Sequence, residues 1–309
     1  MRTFQLTSEV MQVTLSDWGA RIVDWTVNVA EKPRRIVLTY PDLQDYFPDP
    51  YYVGCIVGPY ANRIRDGRVQ LVQHSIQLQQ NDGRNHLHGG VKALDKQIWD
   101  VINHDHQTLH LRYETEDGWN GYPGPITFDV IYTLTGSILD VQLNAFSDKS
   151  TVVCLTGHSY FNLNGIDSGK SGLCQSLQSN ASHFVPKNDA GLPKAAPEPV
   201  RGSMFDFYKA ARLDAHASWA LLDHNLVFDN EPQRSVITSG NGDLGLVITS
   251  DYPAAQAYTG YYLGDVFKAN QAICIEPHFG ADAPNQSDQG HLPANTPSRH
   301  YIRYEIIVE

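Results

Sequence analysis

Alternation with a period of two runs through this chain from end to end. Between Ile126 and Leu134, the side chains of Ile126, Phe128, Val130, Tyr132 and Leu134 fall on one face of an extended backbone, and Thr127, Asp129, Ile131 and Thr133 on the other. Similar alternation marks Val69 to Gln79, Thr108 to Glu114, Ile138 to Phe146, Leu244 to Thr249 and Tyr301 to Val308, and Phe4 to Asn28 alternates on both sides of a Ser16-Asp17-Trp18-Gly19 turn. Helical signals are few, the best being Asp214 to Leu222 with Asp214 as its cap. Many short strands punctuated by Gly, Pro and Asn predict an all-β fold, a large antiparallel β-sandwich or barrel-like stack with few short helices. A parallel sheet would need helical crossovers that this pattern does not supply. Asn188 to Arg201, rich in Pro and Ala, reads as a long surface loop rather than a linker. With no repeat of fixed period and no low-complexity tract, the expected organisation is a single domain over residues 1–309.

Charge and cysteine usage narrow the partners. A formal net charge of −11 repels nucleic acid and anionic membrane surfaces at long range, so the expected partner is a neutral small molecule, with no nucleic acid and no membrane. Hydrophobic residues, at 41%, suffice for a large core and argue against disorder. Cys55, Cys154, Cys174 and Cys274 are widely spaced, so neither a zinc ribbon nor a disulfide framework is signalled. The opening MRTFQLTSEV lacks the basic-then-apolar pattern of a secretory signal, and no apolar run is long enough to span a bilayer. The expectation is a reduced, cytoplasmic protein.

Two stretches carry groups suited to proton transfer. Ala272 to Ile275 reads as a short buried strand that ends at Glu276-Pro277, which leaves a carboxylate where a sheet stops and a loop begins. Held partly out of water, such a carboxyl has its pKa raised and can exchange protons near neutrality; a salt-bridged structural Glu is the plainer alternative. Thr156 to Gly165, TGHSYFNLNG, again follows an apolar run and offers His158 among small and polar neighbours. Other stretches offer polar contacts. Gly54 to Arg68 presents Asn62, Arg63 and Arg65, able to fork onto hydroxyls or simply to form a solvated basic turn. In Asn85 to Gly90, NHLHGG, His86 and His88 would share a face if the segment were a strand, but no third or fourth metal ligand appears at a telling spacing. Asp117 to Pro125 suggests a tight loop with a stacked aromatic, Leu222 to Asp229 places Asp223 beside His224, and Ala254 to Gly264 contains Gln256.

Taken in order, these motifs resemble the aldose 1-epimerase family, also called galactose mutarotases. The family has an Asn-His-Ser-Tyr-Phe-Asn-Leu-like motif around its active-site histidine, a glutamate before an Ala-Pro-Asn turn, and Asn-x-Leu-His-Gly-Gly, Gly-Tyr-Pro-Gly and Gln-x-Tyr-Thr-Gly segments. The resemblance spans Gly54 to Gln286 and departs from the pattern at Pro59, where the family has arginine, and at Gly157, where it has asparagine. It implies a galactose mutarotase-like supersandwich and an enzyme of the isomerase class that exchanges the anomers of a free aldose, most naturally a galactose-like hexose, without a cofactor or metal. Residue by residue, it makes His158 the general acid on the ring oxygen and Glu276 the general base on the C1 hydroxyl. Asn62, Arg63, His88, Asp223 and Gln256 become sugar contacts, and His86 is incidental. The rivals are a hexose-6-phosphate 1-epimerase, which needs a cation cluster, a glycosidase using Asp223 with Glu276, and a non-catalytic carbohydrate-binding protein.

Overall fold

Ile126–Thr135 and Ile138–Ser147 pair antiparallel along their whole length, and Ile126, Phe128, Val130, Tyr132 and Leu134 are all buried, as their alternation predicts. They belong to a nine-stranded sheet in the spatial order Asp100–His104, Thr108–Thr115, Ile126–Thr135, Ile138–Ser147, Ser298–Val308, Leu244–Ser250, Gln233–Thr238, Ser176–Ser179 and Ala211–Arg212. A four-stranded sheet is built from Thr3–Thr7, Met11–Ser16, Arg21–Val29 and Lys32–Arg35. A five-stranded sheet contains Glu198–Pro199, His183–Phe184, Asp223–Val227, Ala254–Tyr258 and Cys274–His278. The computed structural model describes residues 1–72, 74–229 and 232–309; Gln73, within the Val69 to Gln79 alternation, lies outside them. Among the described residues every ladder between strands is antiparallel, and every helical segment is a 3-10 turn of at most five residues.

The helix expected at Asp214 to Leu222 is two short turns, Leu213–Ala215 and Ala217–Leu221. Asp214 caps neither of them. Its carboxylate pairs with Arg212, and the second turn is capped by His216, whose ring nitrogen accepts from the Ser218 amide. A run this short cannot repay helix nucleation, so the local bonds of Asp214 prevail. The Asn188 to Arg201 segment is largely loop, as expected, but it also contributes the edge strand Glu198–Pro199 and docks against the body of the protein, where Arg65 Nη2 donates to the Pro193 carbonyl at 2.9 Å.

The core joins the sheets through aromatic contacts. Trp25, fully buried on Arg21–Val29, meets Phe161 edge-on at 6.1 Å and Tyr304 of the long strand Ser298–Val308 at 5.8 Å. Phe161 in turn exchanges two backbone hydrogen bonds with Ile273, at 2.7 and 3.0 Å. That exchange ties the segment following His158 to the strand that carries Glu276.

A buried ion pair organises the segment leading into His158's neighbourhood. Arg21 is sealed from solvent, donates to Asp49 at 3.1 Å, and also serves the carbonyls of Trp18, Val53 and Asp95. Asp49 accepts from the amides of Tyr51 and Val53, and so holds Tyr52 in a left-handed conformation at φ 56°. Removing one partner of such a pair strands the other charge in the interior. Arg21→Met is therefore expected to destabilise the fold by about 3–5 kcal/mol in denaturant titrations. A loss within the range of an ordinary surface substitution, about 0.5 kcal/mol, would show that the pair does not anchor this region.

Candidate active site

Three adjacent strands of the five-stranded sheet present one polar face. In their register Asn225 lies opposite Gln256 and Gln256 opposite Glu276, with Asp223, Tyr258 and Cys274 forming the next row on the same side. Glu276 sits on the strand rather than just past it, because Pro277 and His278 continue the ladder against Ala255 and Ala254. His158 faces it from a separate loop. Its amide donates to the Cys55 carbonyl at 2.9 Å and its own carbonyl accepts from Gly54 at 3.0 Å, directly after the short Thr156–Gly157 ladder with Ile56–Val57. His158 Nε2 and Glu276 Oε2 are 3.6 Å apart, both side chains being buried. That gap is too wide for a good hydrogen bond between them and close enough for each to reach one bound oxygen.

His88 joins the pair from a third stretch. Leu87 and His86 pair with Arg63 and Ile64, and the chain then turns at His88 with φ 50°. Because His88 stands in a turn, it and His86 do not share a strand face. His86 points into the structure, between the Gln79 carbonyl and the Tyr122 hydroxyl, each at 2.6 Å, so its incidental role is a structural one. His88, His158 and Glu276 each bring one ligand-type atom within 4.8 Å of the others. The expectation of no third ligand came from spacing around NHLHGG, and the fold supplies one from elsewhere. The donor chemistry nevertheless disfavours a cation. The Asn62 amide donates to His88 Nδ1 at 3.1 Å, so in the neutral ring Nε2 carries the proton and is a donor rather than a metal ligand.

Burial sets the protonation states. Loss of water pushes the Glu276 carboxyl well above its ordinary range, with the Asp223 charge adding to the rise. Burial lowers His158 to about 4. It also holds His88 well below its usual value, helped by the neighbouring His158, Arg63, His278 and His86. Asp223 behaves in the opposite way: burial pushes it up, but the charge and hydrogen bond of Lys187, with Gln256 and Arg63, outweigh this and keep it below the usual carboxylate value.

The residues carried over as site residues, Asn62, Arg63, His88, His158, Asp223, Gln256 and Glu276, belong to one connected neighbourhood, whereas Arg65 and His86 face other partners and His224 packs on Phe205. Asn62 Nδ2 donates to Gln256 Oε1 at 3.3 Å, and Gln256 Nε2 donates to Asp223 at 2.6 Å. Arg63 is half-buried and its Nε binds Asp82 at 2.7 Å, while Arg65 pairs with Asp282. Sequence reasoning missed four neighbours. Tyr52 packs on His88 at 4.7 Å and on His158 at 5.7 Å, and Tyr160 lies 5.1 Å from His158. Cys274 Sγ stands 3.8 Å from His158 Nδ1, and Lys187 reaches Asp223 at 2.7 Å. Tyr160 and Cys274 lay inside the motifs named above, whereas nothing about Lys187, just before the Pro-rich segment, announced a partner. At Gly157, where a larger residue was expected, a Cβ would come 3.2 Å from the Tyr304 hydroxyl, a tight approach that a few tenths of an ångström would relieve. A cavity of about 240 Å³ is lined by Gln256 and Asn225 of the same face together with Lys187, Pro193 and Phe279.

The sequence model of the family described as Aldose 1-epimerase matches residues 2–305. An aldose 1-epimerase of Haemophilus influenzae is 30% identical over 295 residues, covering 90% of this chain and 86% of that one. A galactose mutarotase of Sus scrofa is 32% identical over 311 residues, covering 94% and 88%. Among solved structures, a GalM/aldose epimerase homologue from C. elegans superposes with a TM-score of 0.93 at 25% identity, over 99% of both chains. Galactose 1-epimerase from Lactobacillus acidophilus NCFM gives 0.88 at 27% identity, over 98% of this chain and 93% of that one.

The histidine assignments are directly measurable. In nitrogen-resolved NMR of the imidazoles, His158 is expected to stay neutral until the pH approaches about 4, and His88 to remain the Nε2-protonated tautomer throughout. Titration of His158 near the ordinary 6.5 would contradict the burial argument.

Proposed function

The chain belongs to the aldose 1-epimerase family and interconverts the α and β anomers of an aldose, and we propose that it does so with His158 and Glu276 as the acid and base acting on a galactose-like hexose. The family's fold is the galactose mutarotase-like supersandwich. The observation that carries the assignment is the 3.6 Å gap between His158 Nε2 and Glu276 Oε2, two complementary proton carriers shielded from water.

Before a sugar binds, the shared proton rests on the carboxyl, since burial disfavours both charges. Sugar hydroxyls entering the gap donate to a carboxylate and accept from an imidazolium, which draws the proton across to His158. Glu276 then takes the proton of the C1 hydroxyl, the bond from C1 to the ring oxygen breaks, a C1 carbonyl forms, and His158 delivers its proton to the ring oxygen. Rotation about the C1–C2 bond turns the other carbonyl face to the C5 hydroxyl, and the reverse transfers close the ring as the second anomer. His88 Nε2–H serves as a fixed donor to sugar oxygen, while Asn62, Arg63, Asp223 and Gln256 hold the remaining hydroxyls.

The rivals fare worse on the same residues. Near the site Arg63, Arg65 and Lys187 are committed to Asp82, Asp282 and Asp223, so among the described residues they offer no free cation cluster for a phosphate. Asp223 is held ionised by Lys187, a poor state for the acid of a glycosidase. A binding protein would have no need of the His158 and Glu276 pair. The reading takes residues 1–309 as one aldose 1-epimerase-like domain acting in the cytoplasm, for which the four free cysteines are support. Among the described residues no helix is long and apolar enough to cross a membrane.

Glu276→Gln and His158→Asn are each expected to lower anomer exchange by about 10²–10⁴-fold, and the double variant to be little worse than the poorer single one. Sugar binding should persist in all three. Near-normal exchange by Glu276→Gln, measured above the spontaneous rate, would overturn the mechanism. Exhaustive chelation should leave turnover unchanged; loss that added zinc restores would reassign His88, His158 and Glu276 as metal ligands.

A further inference from the structure

Lys187 lies outside every motif that pointed to the site, immediately before the Asn188 to Arg201 segment whose proline and alanine content suggested only a surface loop. The loop is nonetheless fitted to the site. A bridge pairs Lys187 with Pro193, and the Asn188 amide donates to the Leu192 carbonyl at 2.9 Å. Gly191, at φ +71°, rests so close to Arg63 that a Cβ there would come 2.7 Å from the guanidinium nitrogen. From this base the Lys187 ammonium reaches Asp223 Oδ2 at 2.7 Å, with less than a quarter of either side chain exposed.

We propose that Lys187 is a positioning residue for the anomer exchange: it neutralises Asp223 and anchors a hydrogen-bonded chain that runs through Gln256 and Asn62 to His88. The proposal rests on the function argued above. An ammonium can only donate, so Asp223 accepts from it. Gln256 Nε2 donates to the other Asp223 oxygen at 2.6 Å, which leaves Gln256 Oε1 as the acceptor for Asn62 Nδ2 at 3.3 Å. The Asn62 backbone amide then fixes the ring of His88 at 3.1 Å. The orientation of each amide follows from the charge pair at the far end, and so does the face that the chain offers to a sugar.

The same pair governs the field at Glu276. The groups around that carboxyl are His158 and His88 across the pocket, Cys274 on its own strand, Tyr258 on the next, Tyr160, Tyr304 and Asp223. Around Asp223 are Lys187, Arg63, His224, Tyr258 and Tyr261. Asp223, held below the usual carboxylate value, is the anion of the first set, and Lys187 is its direct counter-ion. Without the ammonium, the Asp223 charge, left with only the more distant Arg63 as counter-charge, acts more strongly on Glu276, which then releases its proton at higher pH.

The test is the pH dependence of kcat/KM for galactose anomer exchange in the wild type, K187M, K187Q, K187R and D223N. The alkaline limb, where the pair loses its last proton, should rise by about half a pH unit or more in K187M and K187Q. It should return in K187R and fall in D223N, and KM should rise in both neutral variants as Gln256 and Asn62 lose their fixed orientation. An unmoved limb in the neutral variants, or a stability loss without a pH shift, would make Lys187 a purely structural contact and overturn the proposal. If the neutral variants do not fold, a D223N limb that fails to move down overturns it equally. A wild-type protein that does not exchange anomers would overturn the parent reading instead.

Discussion

The exclusion of water from one acid and one base is the constraint on which the rest of this structure depends. In the proposed mechanism His158 and Glu276 together hold a single mobile proton, and in a buried site any net charge on the pair is penalised. Adding a second proton leaves an uncompensated cation, and removing the last leaves an uncompensated anion. Desolvation thus stretches the pH range over which the pair carries one proton, the state that the proposed mechanism needs. The apparent values belong to the pair as a unit rather than to either residue.

Several features of the fold serve that condition. Tyr52 and Tyr160 wall the histidines with aromatic surface, and Tyr52 is held in place by the Arg21–Asp49 pair. The exchange of backbone bonds between Phe161 and Ile273 fixes the separation of the loop that carries His158 and the strand that carries Glu276. Asp223 would be a troublesome neighbour for Glu276 if it were free, and Lys187 compensates it. The nine-stranded sheet contributes Tyr304, whose hydroxyl fills the space beside Gly157 that a larger side chain would claim.

Much of this was legible in the residue order. Strict alternation in Ile126 to Leu134 carried the buried face correctly because side-chain direction in a strand is a local property. His158, Glu276, His88, Asp223 and Gln256 could be picked out as chemical groups in recognisable surroundings. What could not be read was register and reach. Nothing local says that Gln256 lies opposite Glu276, or that the ammonium of Lys187 finds Asp223, since both depend on which strands become neighbours. The turn at His88 defeated the idea that His86 and His88 share a face, and Asp214 was misread as a cap because its nearest partner, Arg212, precedes rather than follows it. The metal-like convergence of His88, His158 and Glu276 is likewise a product of three separate stretches, and only the hydrogen bond from Asn62 reveals its chemistry.

The central claim, that burial keeps one proton on the pair, is tested most directly by the pH profile of kcat/KM for the wild-type enzyme, measured against spontaneous mutarotation in the same buffers. A broad plateau is predicted, with its acid limb near the lowered imidazole value of about 4 and its alkaline limb well above the ordinary carboxylate range. A narrow profile with an acid limb near 6.5, the value of an imidazole in water, would contradict it.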